Sequence, residues 1–424
     1  MDPAVSALLV LLVCVVLFIT NWIPASMTAV LGCMLMYFVG ACDFSGVFAG
    51  FANDIVVLVV GSMIVGVAMF DTGTARVIAK QCIRLSGGSE RRFILFAGVV
   101  SGILSAFIAN TAVVACFLPI IDSVARSSRM SRRNMTMAIT FGAMYGGSLT
   151  LVGSTPQLTA NGILEPMVGY GVQMYDYLGP GLCVFVCYVI YTQLVGYPLG
   201  MKIWGGRPEV DSLGGEDPDA VLNAAVDRRK VVLMLCIFGA MIISYSFQVI
   251  PTALTAAVAG LLCIVLRLTD EESAFRGISW GPVFMLAGTL GIATGLTESG
   301  AAELMADAVF SLMGGGVPPM LMFAVFVLLS TVISNFAANS TTVIILLPMA
   351  IGSCLSYGWN PLTFTIGITM AANLACCTPI AHPQVTMTLV AGYRFSDYVK
   401  YNGIMAVIAN AVIILTTPLF FPFV

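Results

Sequence analysis

The sequence predicts an all-α polytopic membrane protein of about ten transmembrane helices plus two re-entrant hairpins, in two inverted repeats with broken helices. Three observations predict it. The 424 residues are 59% hydrophobic and only 9% charged, with mean hydropathy +1.00. So few charges cannot cover a soluble surface of this size. Apolar runs of spanning length recur along the whole chain. Finally, two of the longest runs are each interrupted by a polar cluster, and the clusters match: Ser105-Ala106-Phe107-Ile108-Ala109-Asn110-Thr111, and Ser334-Asn335-Phe336-Ala337-Ala338-Asn339-Ser340-Thr341-Thr342.

A spanning helix needs about 20 apolar residues. Candidates run over 4–20, 23–40, 53–70, 135–164, 178–200, 231–249, 252–268, 280–297, 362–390 and 403–421. The stretches 93–125 and 318–351 hold the polar clusters and are too long for one span. Each is predicted as a hairpin that enters and leaves on the same side. Irregular backbone at that depth is tolerated only where it is buried in protein or lines a cavity. The first stretch lacks a basic leader and a clear small-x-small cleavage site, so it reads as a span rather than a signal peptide. Twelve cysteines are scattered, only Cys376 and Cys377 are adjacent, and no zinc or redox spacing occurs. They read as small membrane hydrophobes.

Orientation follows from Lys and Arg. Fourteen of the 18 basic residues fall in three segments: Arg76 to Arg92, Arg126 to Arg133, and Lys202 to Lys230. All three are expected to be cytoplasmic. The segments 41–52, 165–177, 298–317 and 352–361 contain no Lys or Arg and are expected outside. Ten spans then leave both termini external. The hydrophilic stretch 203–229 is rich in Gly, Pro and acids and reads as a cytoplasmic linker. It separates a first repeat, 1–202, from a second, 230–424.

The two halves correspond at a nearly constant spacing. Asp71-Thr72-Gly73 answers Glu298-Ser299-Gly300, and Pro156-Gln157 answers Pro383-Gln384, each 227 positions on. Asn110 answers Asn339 and Pro119 answers Pro348, each 229 on. An odd number of spans per half turns the second copy upside down. Inverted repeats with interrupted helices are the architecture of secondary transporters, whose site lies at the midplane between the copies. Each half also carries a span broken by Gly and Pro: Gly146 to Gln157, and Asn373 to Gln384. Proline removes a helix hydrogen bond, and glycine lets backbone pass close to a ligand. A break exposes N–H groups that favour an anion and carbonyls that can coordinate a small cation. Tips and broken loops are therefore expected to meet around one site.

These residues resemble the divalent anion/sodium symporters of the ion transporter superfamily. That family has a Ser-Asn-Thr triplet at each hairpin tip, followed by an apolar run into Pro, and a Gly-Thr-Pro-Pro-Asn-like loop in each broken helix. Here the triplets read Ala109-Asn110-Thr111 and Ala338-Asn339-Ser340, and the loops read Gly153-Ser154-Thr155-Pro156-Gln157 and Ala381-His382-Pro383-Gln384. The triplet Ser is Ala in both copies. The resemblance covers nearly the whole chain. It implies that Asn110, Thr111, Asn339, Ser340, Thr341, Pro156 and Pro383 contact a small anion. It further implies one sodium held by Ser105, Asn110 and the backbone near Gly153, and a second by Ser334, Asn339 and the backbone near Ala381.

No Asp, Glu, Lys or Arg lies deep in a predicted span. Intramembrane carboxylates mark most proton relays, so carboxylate-based proton antiport is disfavoured. Bound cations would instead offset the anion's charge. The expected function is sodium-coupled symport of a di- or tricarboxylate or sulfate-like anion by alternating access, with Na+ as coupling ion. The alternatives are a proton-coupled or exchange-type permease and, more distantly, a channel. No carboxylate pair, Ser/His dyad or metal motif at membrane depth suggests an enzyme. The expected setting is the cell membrane, with lipid and a second copy of the chain as partners and no nucleic acid. His382, the single histidine, reads as a hydrogen-bonded loop residue or a pH-sensitive one. Segments 74–90 and 299–315 look amphipathic, as arms lying at the two interfaces.

Overall fold

Every predicted span and hairpin limb is helical in the computed structural model, which describes residues 2–20, 22–127, 130–207, 226–301, 304, 317–379 and 382–424. The first half builds α1 (Pro3–Thr20), α2 (Ala25–Phe38), the short α3 (Phe44–Ala49), α4 (Asp54–Asp71), α5 (Thr74–Ser86), α6 (Glu90–Ser105), α7 (Asn110–Ser127), α8 (Arg132–Gly146), α9 (Thr155–Val168), α10 (Leu178–Tyr191) and α11 (Tyr197–Trp204). The second builds α12 (Arg228–Phe247), α13 (Thr252–Val265), α14 (Glu271–Gly277), α15 (Trp280–Glu298), α16 (Pro319–Ser334), α17 (Asn339–Tyr357), α18 (Pro361–Asn373), α19 (Pro383–Thr386) and α20 (Phe395–Phe420). No strand occurs among the described residues. Among the described residues, six helical stretches are long and apolar enough to cross a membrane, and four shorter apolar helices accompany them.

The basic amphipathic arm expected over 74–90 is α5, entered through Gly73 in the left-handed conformation (φ 71°). Gly300, its counterpart, is left-handed too (φ 75°). The arm expected over 299–315 lies largely outside the described residues, as does most of the linker. Two features were not legible in sequence. The short helices α3 and α14 are each capped by an aspartate, Asp43 or Asp270, whose carboxylate accepts a backbone N–H. The two broken helices also differ. After its break the first half continues as α9 for 14 residues. The second half makes one turn of α19 and then the 3₁₀ stretch Met387–Ala391, stopped by Gly392 at φ 76°. Thr386 Oγ1 donates to Pro379 O at 2.5 Å, and Thr388 Oγ1 to Val385 O at 2.6 Å. Hydroxyls competing for nearby carbonyls weaken a short helix in this way.

Packing sorts the helices into two bodies. α2 lies along α15, and α4 along α13, with α1, α3, α12 and α14 beside them. The second body contains both hairpins and both broken helices, α6 to α11 and α16 to α20. α5 spans from the first to the second, and α9 leans on α15. Two ion pairs tie helices of the second body together. Asp397 receives both Arg207 nitrogens at 2.7 and 2.9 Å, and Asp122 receives Arg132 Nε at 2.7 Å. Pairing of this kind is what keeps a desolvated charge tolerable.

α6 and α8 cross through two glycine pairs four residues apart, Gly98 with Gly102 and Gly142 with Gly146. Such pairs let membrane helices approach backbone to backbone. A Cβ at Gly146 would stand 2.1 Å from the Gly102 Cα, which cannot move independently of its helix. Gly146→Ala is therefore expected to destabilise the protein by about 1–3 kcal/mol. Gly239→Ala, where nothing lies within 4 Å of the added carbon, is the matched control. A fall in detergent melting temperature for the first and none for the second is the expected result.

Candidate functional site

Each hairpin is broken by four residues, 106–109 and 335–338, and the second limb restarts on the key asparagine. The same hydrogen bonds hold both breaks. Ser105 Oγ donates to Asn110 Oδ1, and Ser334 Oγ lies 2.8 Å from Asn339 Oδ1. Thr150 Oγ1 donates to the freed Ala106 carbonyl, and Thr378 Oγ1 to that of Asn335 at 2.5 Å. One turn earlier, Ser101 donates to Ile139 O at 3.0 Å and Ser330 to Ile368 O at 2.7 Å. Each tip is thus tied to the broken loop of its own half.

The loops also meet each other. Asn373 Nδ2 donates to Ser148 Oγ at 2.7 Å, and Tyr145 OH lies 3.6 Å from Cys376 Sγ. Residues 145 and 373 correspond at a spacing of 228, as do 148 and 376.

Tips and loops together enclose a cavity of about 450 Å³. Of the residues singled out in sequence, Asn110, Thr111, Gly153, Pro156, Asn339, Ser340 and Pro383 line it. Ser105 and Ser334 stand behind the asparagines they bond. Thr341 is fully buried and is not part of the lining. Ala381 lies outside the described residues. Asn335, the other asparagine at the second tip, is occupied structurally: its Oδ1 accepts from Cys377 N at 2.9 Å and its Nδ2 donates to Thr331 O at 2.8 Å.

The remaining wall comes from the first body. It includes Ser26 at the start of α2, Ser62 and Met63 of α4, and Ser279 before α15. Sequence reasoning missed these serines, because nothing in the linear pattern ties an isolated serine to tips hundreds of positions away. His382, Gln384, Ser154, Thr155 and Asn373 complete the polar lining.

Among the described residues, no Asp, Glu, Lys or Arg lines the cavity. Helix ends bring partial positive charge to it. α7, α9 and α17, of 18, 14 and 19 residues, all begin at the cavity wall. The first N–H groups of such helices lack intrahelical partners and attract negative charge. Gly147 packs directly on Asn110: a Cβ there would sit 2.3 Å from Asn110 Oδ1, so only glycine fits. The site can take up a small anion by amides, hydroxyls and helix ends, without a cationic side chain.

Comparison with known proteins gives the same picture. The sequence profile of the CitMHS family, citrate transporters, matches residues 15–361. The sodium-dependent dicarboxylate transporter SdcS of Staphylococcus aureus is 23% identical over 438 residues, covering 94% of this chain and 82% of its own. The uncharacterized transporter sll0640 of Synechocystis sp. is 20% identical over 593 residues, covering 97% and 95%. Among solved structures, the YdaH transporter of Alcanivorax borkumensis superposes with a TM-score of 0.66 at 12% identity, covering 98% of this chain and 97% of its own. With breaks, loops and cavity as described, the chain belongs to the citrate transporter family and is a multi-pass membrane transporter, not an enzyme.

Proposed function

We propose that the protein is a sodium-coupled symporter of a small di- or tricarboxylate, working by alternating access. The observation that carries this reading is the cavity itself, where both tips and both broken loops converge on a space with no charged side chain among the described residues. Just behind its wall, Ser334 Oγ lies 2.8 Å from Asn339 Oδ1 and 2.9 Å from Ala372 O. Three oxygens share one hydroxyl proton there. Such a set of oxygens suits a hard cation. Ser105 and Asn110 supply the matching pair in the first half. Cations at these two places would offset the charge of the anion, which otherwise meets only partial charges. The anion would be held by Asn110, Thr111, Ser340 and the helix ends, with Asn339 contributing through its cation.

Residues 1–202 and 230–424 act in this reading as inverted repeats, joined by a cytoplasmic linker at 203–229, with both termini external. The matched hydrogen bonds and the reciprocal contacts 145–376 and 373–148 support the repeat, and the distribution of Lys and Arg supports the orientation. One contact is not matched. Gly162 of α9 packs on Leu286 and Leu290 of α15. The counterparts 227 positions away are Leu389 for Gly162, and Val59 and Met63 for the two leucines. In this structure Leu389 is 41% exposed, and Val59 and Met63 line the cavity. Exchanging the conformations of the two halves would set Leu389 against Val59 and Met63 and open the site to the opposite face.

Three measurements follow. In proteoliposomes, an inward sodium gradient is expected to drive uptake of labelled citrate or succinate, and uptake indifferent to sodium would overturn the coupling. Asn110→Ala and Asn339→Ala are each expected to cut uptake at least tenfold at equal incorporation, the effect of about 1.5–3 kcal/mol for a lost charge-assisted contact. Unimpaired uptake by both would remove the site. Met63→Cys with Leu389→Cys, in a background with the native cysteines replaced, is expected to cross-link and to stop transport reversibly. Cross-linked protein that still transports at its reduced rate would contradict the exchange of conformations.

A further inference from the structure

The two tips differ in what their apolar residues touch. At the first, the half-buried Phe107 stands edge-on to Phe238 of α12, with ring centroids 5.9 Å apart and planes at 89°. Its neighbour Ile108 is 3% exposed and lies on Gly66 of α4. A Cβ at Gly66 would stand 2.9 Å from the Ile108 Cγ2 methyl, so the glycine leaves the hollow that this side chain fills. Phe238 and Gly66 both belong to the first body. The first tip is therefore seated on the body opposite its own.

The second tip is not seated. Phe336 follows Phe107 by 229 positions, holds the same place in its break, and is 72% exposed. The same residue in the same motif is covered in one half and bare in the other. The contrast runs the same way as that between Gly162, which packs on α15, and the exposed Leu389. Phe107, Ile108 and Gly162 of the first half touch the first body, while Phe336 and Leu389 of the second half are exposed.

The counterpart seat suits the second tip. Ala337 answers Ile108, and Ala293 of α15 answers Gly66 at the 227 spacing. A large side chain over no side chain is matched by a small one over a small one. Leu11 of α1 answers Phe238 at the spacing that also relates Pro24 to Pro251, the residues before α2 and α13. An apolar partner thus exists for the second ring as well.

We propose that Phe107 and Phe336 are alternating latches. Phe107, with Ile108, holds the present conformation by docking on α12 and α4. Phe336 holds the exchanged conformation by docking on α1 and α15. A ring that packs stabilises whichever conformation packs it, so the two latches pull one equilibrium in opposite directions. The inference rests on the alternating-access reading given above and adds the residues that set its balance.

The test is the rate at which a membrane-permeant maleimide modifies single cysteines in the full-length protein in proteoliposomes, with the native cysteines replaced. Leu290→Cys reports the exchanged conformation, because Leu290 is 4% exposed and packs against Gly162 of α9. Met63→Cys, at its counterpart, lines the cavity and reports the present one. Phe107→Ala is expected to speed modification at 290 about tenfold, and Phe336→Ala to slow it about tenfold, as losing one packed aromatic ring shifts a two-state equilibrium. Combined, they should return the rate to within about threefold of the parent, because the losses fall on opposite conformations. Neither should speed modification at 63. Phe107→Leu, used if the alanine variant is not monodisperse, should move the rate at 290 the same way by a smaller factor. Faster modification at both positions in both variants would mean general loosening and would overturn the inference, as would a rate at 290 that neither variant moves. Sodium-driven uptake of labelled citrate or succinate in the same vesicles separates the two readings. Intact uptake with either of those results overturns the latches alone, and a parent protein that takes up neither anion overturns both.

Discussion

A helix that breaks inside a membrane leaves backbone N–H and C=O groups with no water to bond, and each group left alone there costs several kcal/mol, on the order of 2–7. The structure depends on how that demand is met. At the first tip the freed Ala106 carbonyl takes the Thr150 hydroxyl, and at the second the Asn335 carbonyl takes that of Thr378. Both threonines belong to broken loops, so a tip is satisfied only when its loop is beside it. The loops need the tips for the same reason: Cys377 N is satisfied by Asn335 Oδ1. The polar groups that would forbid four separate breaks make one assembly of them.

What the breaks leave over is directed into the cavity. The N-terminal ends of α7, α9 and α17 point partial positive charge at it, while Ser and Asn oxygens gather just behind the tips. Anion-attracting and cation-attracting groups are thus neighbours without a formal charge among them. A site of this kind can empty. A buried Lys or Arg would hold an anion strongly, whereas partial charges from helix ends, hydroxyls and amides hold it less tightly. Within the second body, the ion pairs Arg207–Asp397 and Arg132–Asp122 tie its helices together around this arrangement.

Much of this was legible in the chain. Spans follow from apolar length alone, because a bilayer imposes one dimension on every helix that crosses it. Hairpin breaks were legible because Ser, Asn and Thr inside an apolar run have no place at membrane depth except at a break or a contact. The pairing of Asn110 with Asn339, rather than with the nearer-looking Asn335, followed from the spacing between halves, and the structure puts Asn335 into loop packing instead. The serines of the first body were not legible. Neither was the shortening of the second broken helix, which comes from local hydroxyl bonds rather than from composition.

The sequence by itself determined where the chain crosses the membrane, where it cannot stay helical, and which asparagines sit at the breaks. Those are local consequences of hydrophobicity and backbone chemistry, and residue types suffice to state them. Only the tertiary structure decided that tips and loops share one cavity, that α9 rather than its counterpart leans on the first body, and that His382 lies against Asn339. These depend on contacts between segments far apart in the chain. Two halves with the same pattern can meet in unequal conformations, and a periodic sequence does not say which half is closed.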